Sequence, residues 1–245
     1  MSQGIKLEST NLDNYYGRGR FYQGHGKHKL AIDDYKKYLQ SYPNDSDTIE
    51  RIAWSYYRLN KYPEAIFHAS KAIEIDHKSI NGMEIRGLSF YFTGNYSAAL
   101  TNFNTIIKID PKNAVAYEWR GYSNSNLNNY QQAILDHDRA LELDKKAGDI
   151  YLYSSRAFAK KQLGQKSAAL SDYQQALKIA KVKGKIDKIE AIQISIDDIE
   201  QEPQRIVIAT LLTLLLTGAG YGGLIAIERR NEAKYLEQFQ DLSER

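Results

Sequence analysis

The sequence predicts an all-α chain: a solenoid of five helix-turn-helix repeats, then a capping helix, then one transmembrane helix near the C-terminus. Two observations lead to this prediction. Small and turn-forming residues recur with a period close to 34 residues between residues 12 and 181, and residues 206–227 contain no charged side chain. Repeats of this length bury their apolar faces by stacking on their neighbours.

The repeats are defined by three recurring positions. An alanine followed by isoleucine or leucine recurs in steps of 34, 34, 34 and 36 residues, at Ala31, Ala65, Ala99, Ala133 and Ala169. A small residue lies twelve positions before each of these alanines, and a turn former lies five positions before it. The turn formers are Gly26, Asn60, Gly94, Asn128 and Gly164. Two apolar stretches with helical spacing in each repeat therefore predict a helical hairpin.

This pattern resembles the tetratricopeptide repeat (TPR) family, whose unit is a 34-residue helix-turn-helix. The resemblance covers residues 12–181 after an N-terminal tail of residues 1–11. The predicted units are 12–45, 46–79, 80–113, 114–147 and 150–181. The resemblance implies a right-handed superhelix in which the first helix of each repeat lines a concave groove.

The resemblance also implies which residues face that groove. The ninth residue of each repeat points there, and these residues are Arg20, Trp54, Leu88, Tyr122 and Phe158. Nearby inward positions add Tyr16, Tyr57, Tyr91, Phe92 and Tyr151. Rigid aromatic side chains suit recognition of a peptide or a helix. The alternative is that these residues pack between adjacent first helices.

Polar residues on the same face have mixed charge: Arg20, Asp47, Glu50, Glu84 and Glu118. This mixture favours an amphipathic helix or an extended protein segment as the ligand over a highly charged polymer. Since acids and bases are interleaved throughout a chain of net charge +3, nucleic acid is not expected as a partner.

Arginines and acids recur together in the repeats. Arg18, Arg120 and Arg156 are each followed sixteen residues later by an aspartate, and Arg86 is followed at the same distance by Asn102. The aspartates are Asp34, Asp136 and Asp172. The spacing predicts an ion pair that links the two helices of a repeat. The alternative is an arginine cluster that binds an acidic ligand.

Residues 182–203 are predicted to form a capping helix and linker. Isoleucines recur there in steps of three and four residues, at Ile186, Ile189, Ile192, Ile196 and Ile199. One apolar stripe of this kind suits a helix that covers the open face of the last repeat, and Pro203 is expected to end it. A short coiled-coil seam is the alternative.

Residues 204–228 are predicted to form a transmembrane helix, followed by a short tail of residues 229–245. At about 1.5 Å per residue, the uncharged stretch is about 33 Å long, which matches the hydrocarbon core of a bilayer. Gly218 with Gly222, and Ala219 with Gly223, form two small-xxx-small pairs that suit close packing of membrane helices. Self-association through these pairs stays open, because glycine is common in membrane helices.

These features predict a membrane-tethered scaffold that binds a protein partner. The chain has no cysteine, and no catalytic or metal-binding motif is present, so neither enzymatic activity nor a cofactor is expected. The N-terminus has no apolar export signal, so the repeats are expected in the cytoplasm. The alternative follows from the positive-inside rule, because more basic residues lie after the span than before it, which favours a cytoplasmic tail. The alternative function is a membrane effector whose C-terminal span oligomerises under control of the repeats.

Overall fold

The structure, a computed structural model, describes residues 12–144 and 148–216. These residues form eleven α-helices and no strand. The chain divides into two compact units, residues 1–185 and residues 186–245.

The first unit is an all-α solenoid of five helical hairpins, as predicted. Its helices are α1 (Leu12–Gly24), α2 (His28–Tyr38), α3 (Ser46–Arg58), α4 (Tyr62–Ile75), α5 (Ile80–Phe92), α6 (Tyr96–Ile109), α7 (Ala114–Asn126), α8 (Tyr130–Leu143), α9 (Ile150–Gln162) and α10 (Lys166–Val182). Within this unit, α1 to α9 each pack against the next helix in the chain. The first helices of neighbouring repeats also contact one another, α3 with α5, α5 with α7 and α7 with α9.

The predicted turn formers close the five hairpins. All five have a left-handed backbone conformation: Gly26 (φ 70°), Asn60 (φ 57°), Gly94 (φ 79°), Asn128 (φ 62°) and Gly164 (φ 75°). Glycine and, less readily, asparagine adopt this conformation, which explains why only these two residue types occur there.

Side-chain caps fix where four of the first helices begin. Asp45 accepts from the Thr48 amide at 2.7 Å, and Ser79 accepts from the Gly82 amide at 2.8 Å. Asn113 caps α7 and Asp149 caps α9 in the same way. Each cap satisfies a backbone N–H that has no partner inside its helix.

The small residues of the repeat allow the helices of a hairpin to approach closely. A Cβ atom added to Gly87 would lie 2.9 Å from the ring of Phe103, and one added to Gly19 would lie 2.6 Å from the ring of Tyr35. Both rings are completely buried. The missing Cβ therefore creates the space in which an aromatic side chain of the second helix packs.

The predicted arginine–aspartate pairs are confirmed. The guanidinium of Arg18 donates to Asp34 at 2.6 Å, and the guanidinium of Arg156 donates to Asp172 at 2.6 Å. Arg120 pairs with Asp136 in the same way. In the third repeat, Arg86 Nε donates to the Asn102 side chain at 2.8 Å. These arginines connect the two helices in four of the five hairpins, so the structural interpretation is correct.

The second unit contains α11 (Ile186–Leu216). The prediction that Pro203 ends this helix is wrong, because α11 continues through it. A proline inside a helix has no N–H to donate and crowds the carbonyl four residues earlier, but the Glu, Gln and Arg residues next to Pro203 favour helix on both sides. Three residues of the predicted stripe, Ile192, Ile196 and Ile199, are buried.

Within residues 12–144 and 148–216, no helix has both the length and the apolar character that crossing a bilayer requires. The predicted span, 204–228, extends beyond the described residues. The paired small residues Gly218, Ala219, Gly222 and Gly223 and the tail of residues 229–245 lie outside the described residues altogether.

Candidate binding groove

A cavity of about 370 Å³ opens across the first helices of repeats one to three. We call it the groove. It is lined by Gln23 of α1, by Asp47, Glu50, Arg51 and Trp54 of α3, and by Asn81, Glu84 and Ile85 of α5. The lining residues of α3 are three, four and seven positions apart, which places them on one helical face. An adjoining cavity of about 400 Å³ shares Asp47, Glu50 and Asn81 and continues to Asp76 and Lys78.

One part of the groove is held by an internal ion pair. Arg51 donates to Asp47 from Nε at 2.8 Å and from Nη2 at 3.2 Å, and the Tyr16 hydroxyl donates to the same carboxylate at 2.7 Å. Burial acts to raise the pKa of Asp47, but the hydrogen bonds from Arg51 and Tyr16 hold that pKa below its usual value. Arg51 is therefore neutralised within its own helix.

Three glutamates occupy the fifth position of repeats two, three and four. They are Glu50 on α3, Glu84 on α5 and Glu118 on α7, and we call them the glutamate row. Glu50 and Glu84 line the groove, and Glu118 lies one repeat further along. Since α3 contacts α5 and α5 contacts α7, the row crosses three adjacent helices.

Burial raises the pKa of all three glutamates, and that of Glu118 rises to about 7. Glu50 accepts a short hydrogen bond from the Ser79 hydroxyl, and Glu118 accepts one from the Tyr122 hydroxyl at 3.1 Å. Among the described residues, Glu84 has neither a hydrogen bond nor an ion pair. Its ionised carboxylate is thus partly removed from water with no cation to balance it, an arrangement that favours a positively charged ligand.

Aromatic side chains accompany the glutamate row. Trp54 stacks on Tyr57 with ring centroids 5.3 Å apart, Tyr57 meets Phe92 at 6.0 Å, and Phe92 meets Trp119 at 5.7 Å. We call these four residues the aromatic row. It links α3, α5 and α7, and Phe92 is nearly half exposed. Trp54 lines the groove together with Glu50 and Glu84, so the row provides a π-face beside these partly buried carboxylates.

Two of the predicted groove residues are not available to a partner. Leu88 is 4% exposed and packs with Met83 and Phe103, while Tyr122 is 9% exposed and packs with Leu152. Packing between helices therefore accounts for Leu88 and Tyr122, which is the alternative that the sequence left open for these positions.

The remaining predicted residues differ in exposure. Tyr16, Trp54, Tyr57 and Tyr91 are partly buried, whereas Arg20, Tyr151 and Phe158 are exposed. Tyr151 and Phe158 belong to α9 in the last repeat, and the lining of the groove comes from repeats one to three.

Sequence analysis did not identify two features of this site. Trp119 was not considered, although it occupies the same repeat position as Arg51 and Ile85 of the groove. The glutamate row was treated only as part of a polar face of mixed charge. The signal that could have identified it is the recurrence of glutamate at intervals of 34 residues, since a repeat protein places such residues side by side. No cluster of three or more acidic or histidine side chains in the described part of the chain is arranged to hold a metal ion.

Comparison with protein families gives three matches, all to tetratricopeptide repeat models. They cover residues 13–45, 86–150 and 150–182, which together make up more than half of the chain. A comparison with curated proteins gives no match.

Solved structures with the same fold include several repeat proteins. A crystal structure of MamA is 23% identical and has a TM-score of 0.62, and the match covers 71% of this chain and 94% of that one. MamA from Desulfovibrio magneticus RS-1 is 15% identical with a TM-score of 0.64, covering 70% and 96%. YrrB, described as a TPR protein with an unusual peptide-binding site, is 15% identical with a TM-score of 0.59, covering 69% and 86%. At these identities the likeness concerns the fold alone.

Proposed function

The chain belongs to the tetratricopeptide repeat family, and from this premise we propose that it is an adaptor that binds a segment of a partner protein in the groove. We further propose that its C-terminal helix holds this partner at a membrane, with the repeats in the cytoplasm.

The observation that carries the binding proposal is the composition of the groove. A cavity that crosses three first helices brings a tryptophan together with a desolvated glutamate that has no partner among the described residues. Tryptophan is among the residues that contribute most of the affinity in protein interfaces, and a partly desolvated carboxylate favours a ligand of opposite charge. YrrB, which shares the fold, is described by its peptide-binding site, and this agrees with a solenoid that acts through a bound segment.

The membrane proposal rests on the sequence. Residues 206–227 have no charge, and their leucines, isoleucines and valines favour insertion into a bilayer. An anchor raises the effective concentration of a bound partner at the membrane surface. A freely diffusing repeat domain would concentrate its partner at the membrane less effectively.

Affinity purification with matched aromatic variants tests the binding proposal. Trp54→Ala removes a groove side chain, and Phe67→Ala removes an exposed aromatic from α4, a second helix outside the groove. We expect full-length protein and Phe67→Ala to retain the same partner, and Trp54→Ala to lose it with a cost of about 2 kcal/mol. Melting temperatures show that both variants are folded. Retention of the partner by folded Trp54→Ala, together with its loss from Phe67→Ala, would place the binding surface elsewhere.

A further inference from the structure

The charge of the groove is opposite to that of the chain. Its lining has three acids, Asp47, Glu50 and Glu84, and one base, Arg51, which is already paired with Asp47. The adjoining cavity adds Asp76 and Lys78, which leaves the acidic excess unchanged. The whole chain has a net charge of +3. Acidic groups are thus concentrated where the proposed partner binds, although bases outnumber acids in the protein as a whole.

The aromatic row points to the same kind of ligand by a separate interaction. Lysine and arginine side chains are attracted to the faces of tryptophan, tyrosine and phenylalanine rings. The Trp54 ring already attracts a cation of the protein, since the Arg58 guanidinium lies 5.6 Å from its centre, and a ligand cation would compete with this contact. A cation that reaches Glu84 from the groove would pass beside Trp54, which lines the same cavity.

The direction of the groove suits an extended ligand. Its lining crosses the first helices of three repeats, so an extended segment laid along it passes α1, α3 and α5 in turn. Adjacent packed helices are about 8–10 Å apart. In the extended polyproline II conformation, a chain advances about 3.1 Å per residue and presents every third side chain on the same side. Every third residue of an extended segment would therefore reach the next member of the glutamate row.

We propose that the partner segment is extended and basic, with lysine or arginine at every third residue, and that these cations pair in turn with Glu50, Glu84 and Glu118. This inference rests on the proposed function and specifies the chemistry of its ligand. The charge-assisted hydrogen bonds between the ligand's cations and the glutamates fix the register of the bound segment. The aromatic row contacts the aliphatic parts of the ligand's lysine or arginine side chains.

Peptide probes test this chemistry on the full-length protein in a nonionic detergent. The first probe is a fluorescein-labelled peptide of three Lys-Gln-Ser triplets. The second has the same composition with its lysines adjacent, and the third has glutamate in place of lysine. Fluorescence polarisation should show tightest binding for the first probe and none for the third, with affinity that decreases as salt is added.

Two charge-removing variants complete the test. Glu84→Gln keeps the shape of the side chain, and we expect it to weaken binding of the first probe about tenfold. Glu142→Gln makes the same change on α8, where Glu142 is exposed and paired with Arg139, and should leave the affinity unchanged. Unchanged binding to Glu84→Gln, equal binding of the acidic probe, or equal binding of the two lysine isomers would overturn the proposed ligand.

Failure of this inference is distinguishable from failure of the proposed function. If the probes do not bind but a cellular partner is still lost from Trp54→Ala and retained by Phe67→Ala, the groove binds a segment of different chemistry. In that case the basic ligand is rejected and the adaptor function stands.

Discussion

The guanidinium of Arg120 on α7 donates to both carboxylate oxygens of Asp136 on α8, from Nε at 3.0 Å and from Nη2 at 2.5 Å. Asp136 is almost fully buried, and it also accepts from the side-chain amides of Asn124 at 2.8 Å and Gln132 at 3.0 Å. Four donors thus compensate one desolvated charge. The same pair fixes α7 against α8, and α7 presents Glu118 of the glutamate row.

Removing this carboxylate should destabilise the domain. We expect Asp136→Ala to lower the free energy of unfolding by about 1–3 kcal/mol, because Arg120 and two amides lose their acceptor in a largely buried site. Urea denaturation measures the change. Asp33→Ala, at an exposed position of α2, is the matched control and should have little effect. Full stability of Asp136→Ala combined with loss of partner binding would instead mean that the arginine binds a ligand.

The close approach of helices at glycine gives a second prediction. Gly87→Ala should destabilise the protein, because the new Cβ atom would lie 2.9 Å from the completely buried ring of Phe103. Gly17→Ala is the control, since that glycine lies inside α1 with no atom within 4 Å of an added Cβ. This control should stabilise the helix by about 0.5–1 kcal/mol. Thermal melting measures the change, since the melting temperature should fall for Gly87→Ala and rise for Gly17→Ala. A higher melting temperature for Gly87→Ala would contradict the packing argument.

These two sites show what the sequence can predict. Glycine and asparagine at the turns reflect local backbone geometry, and Arg120 with Asp136 recurs at a fixed spacing in several repeats. Both signals are carried by the sequence itself. The exposure of Leu88 and Tyr122 is different, because periodicity places a residue on a helical face without showing which neighbouring helix covers it.

The binding site was less predictable for a related reason. The charge balance around Glu84 depends on which acid Arg51 pairs with, and that acid is Asp47 on the same helix as Arg51. The residue types on this face predict mixed charge, whereas in the structure Glu84 has no cation paired with it among the described residues. Likewise, Pro203 suggests a helix end in sequence, but the flanking residues continue α11.

A buried histidine should make stability depend on pH. His137 occupies a core position that holds Tyr35, Phe103 and Tyr173 in other repeats. Burial, and then the charge of Arg156, lower the pKa of His137 to about 3. The unfolded chain takes up a proton near pH 6.5 and the folded chain does not, so stability falls as the pH falls from about 6.5 towards 3.

His137→Phe isolates this contribution. Between pH 7 and pH 5 the histidine should cost about 2 kcal/mol of stability, and the phenylalanine variant should lose correspondingly less. Urea denaturation at both pH values measures the difference. His68, whose pKa burial lowers to about 4, keeps some acid sensitivity in the variant. Equal pH dependence in the two proteins would show that His137 is protonated in the folded state.

The proposed membrane anchor predicts resistance to extraction. The full-length protein should remain in the membrane fraction in alkaline carbonate. Replacing both Leu212 and Leu215 with arginine should release it, since each arginine near the centre of a bilayer costs about 2.5–3.5 kcal/mol. The corresponding double change to isoleucine is the control and should not release it. Membrane retention of the arginine variant would exclude a single anchoring span at this position.

The final prediction concerns the pH dependence of binding. The pKa of Glu118 is raised to about 7, mainly by burial; the hydrogen bond from the Tyr122 hydroxyl lowers it, and the nearby charge of Asp149 raises it. Glu118 is therefore largely protonated at pH 6 and largely ionised at pH 8. A cationic ligand prefers the ionised form, so below pH 7 its binding must first remove a proton. We expect the peptide of Lys-Gln-Ser triplets to bind more tightly as the pH rises from 6 to 8.

Glu118→Gln should remove most of this dependence, because glutamine does not titrate, and its affinity at pH 8 should fall to about the level of the unmodified protein at pH 6. Fluorescence polarisation across this range gives the measurement, and Glu142→Gln on the exposed face of α8 should retain the dependence of the unmodified protein. An affinity that decreases with rising pH, or a Glu118→Gln variant that retains the full dependence, would show that this glutamate does not contact the cation. The third member of the glutamate row would then lie outside the binding site, and a bound segment would extend only as far as Glu84.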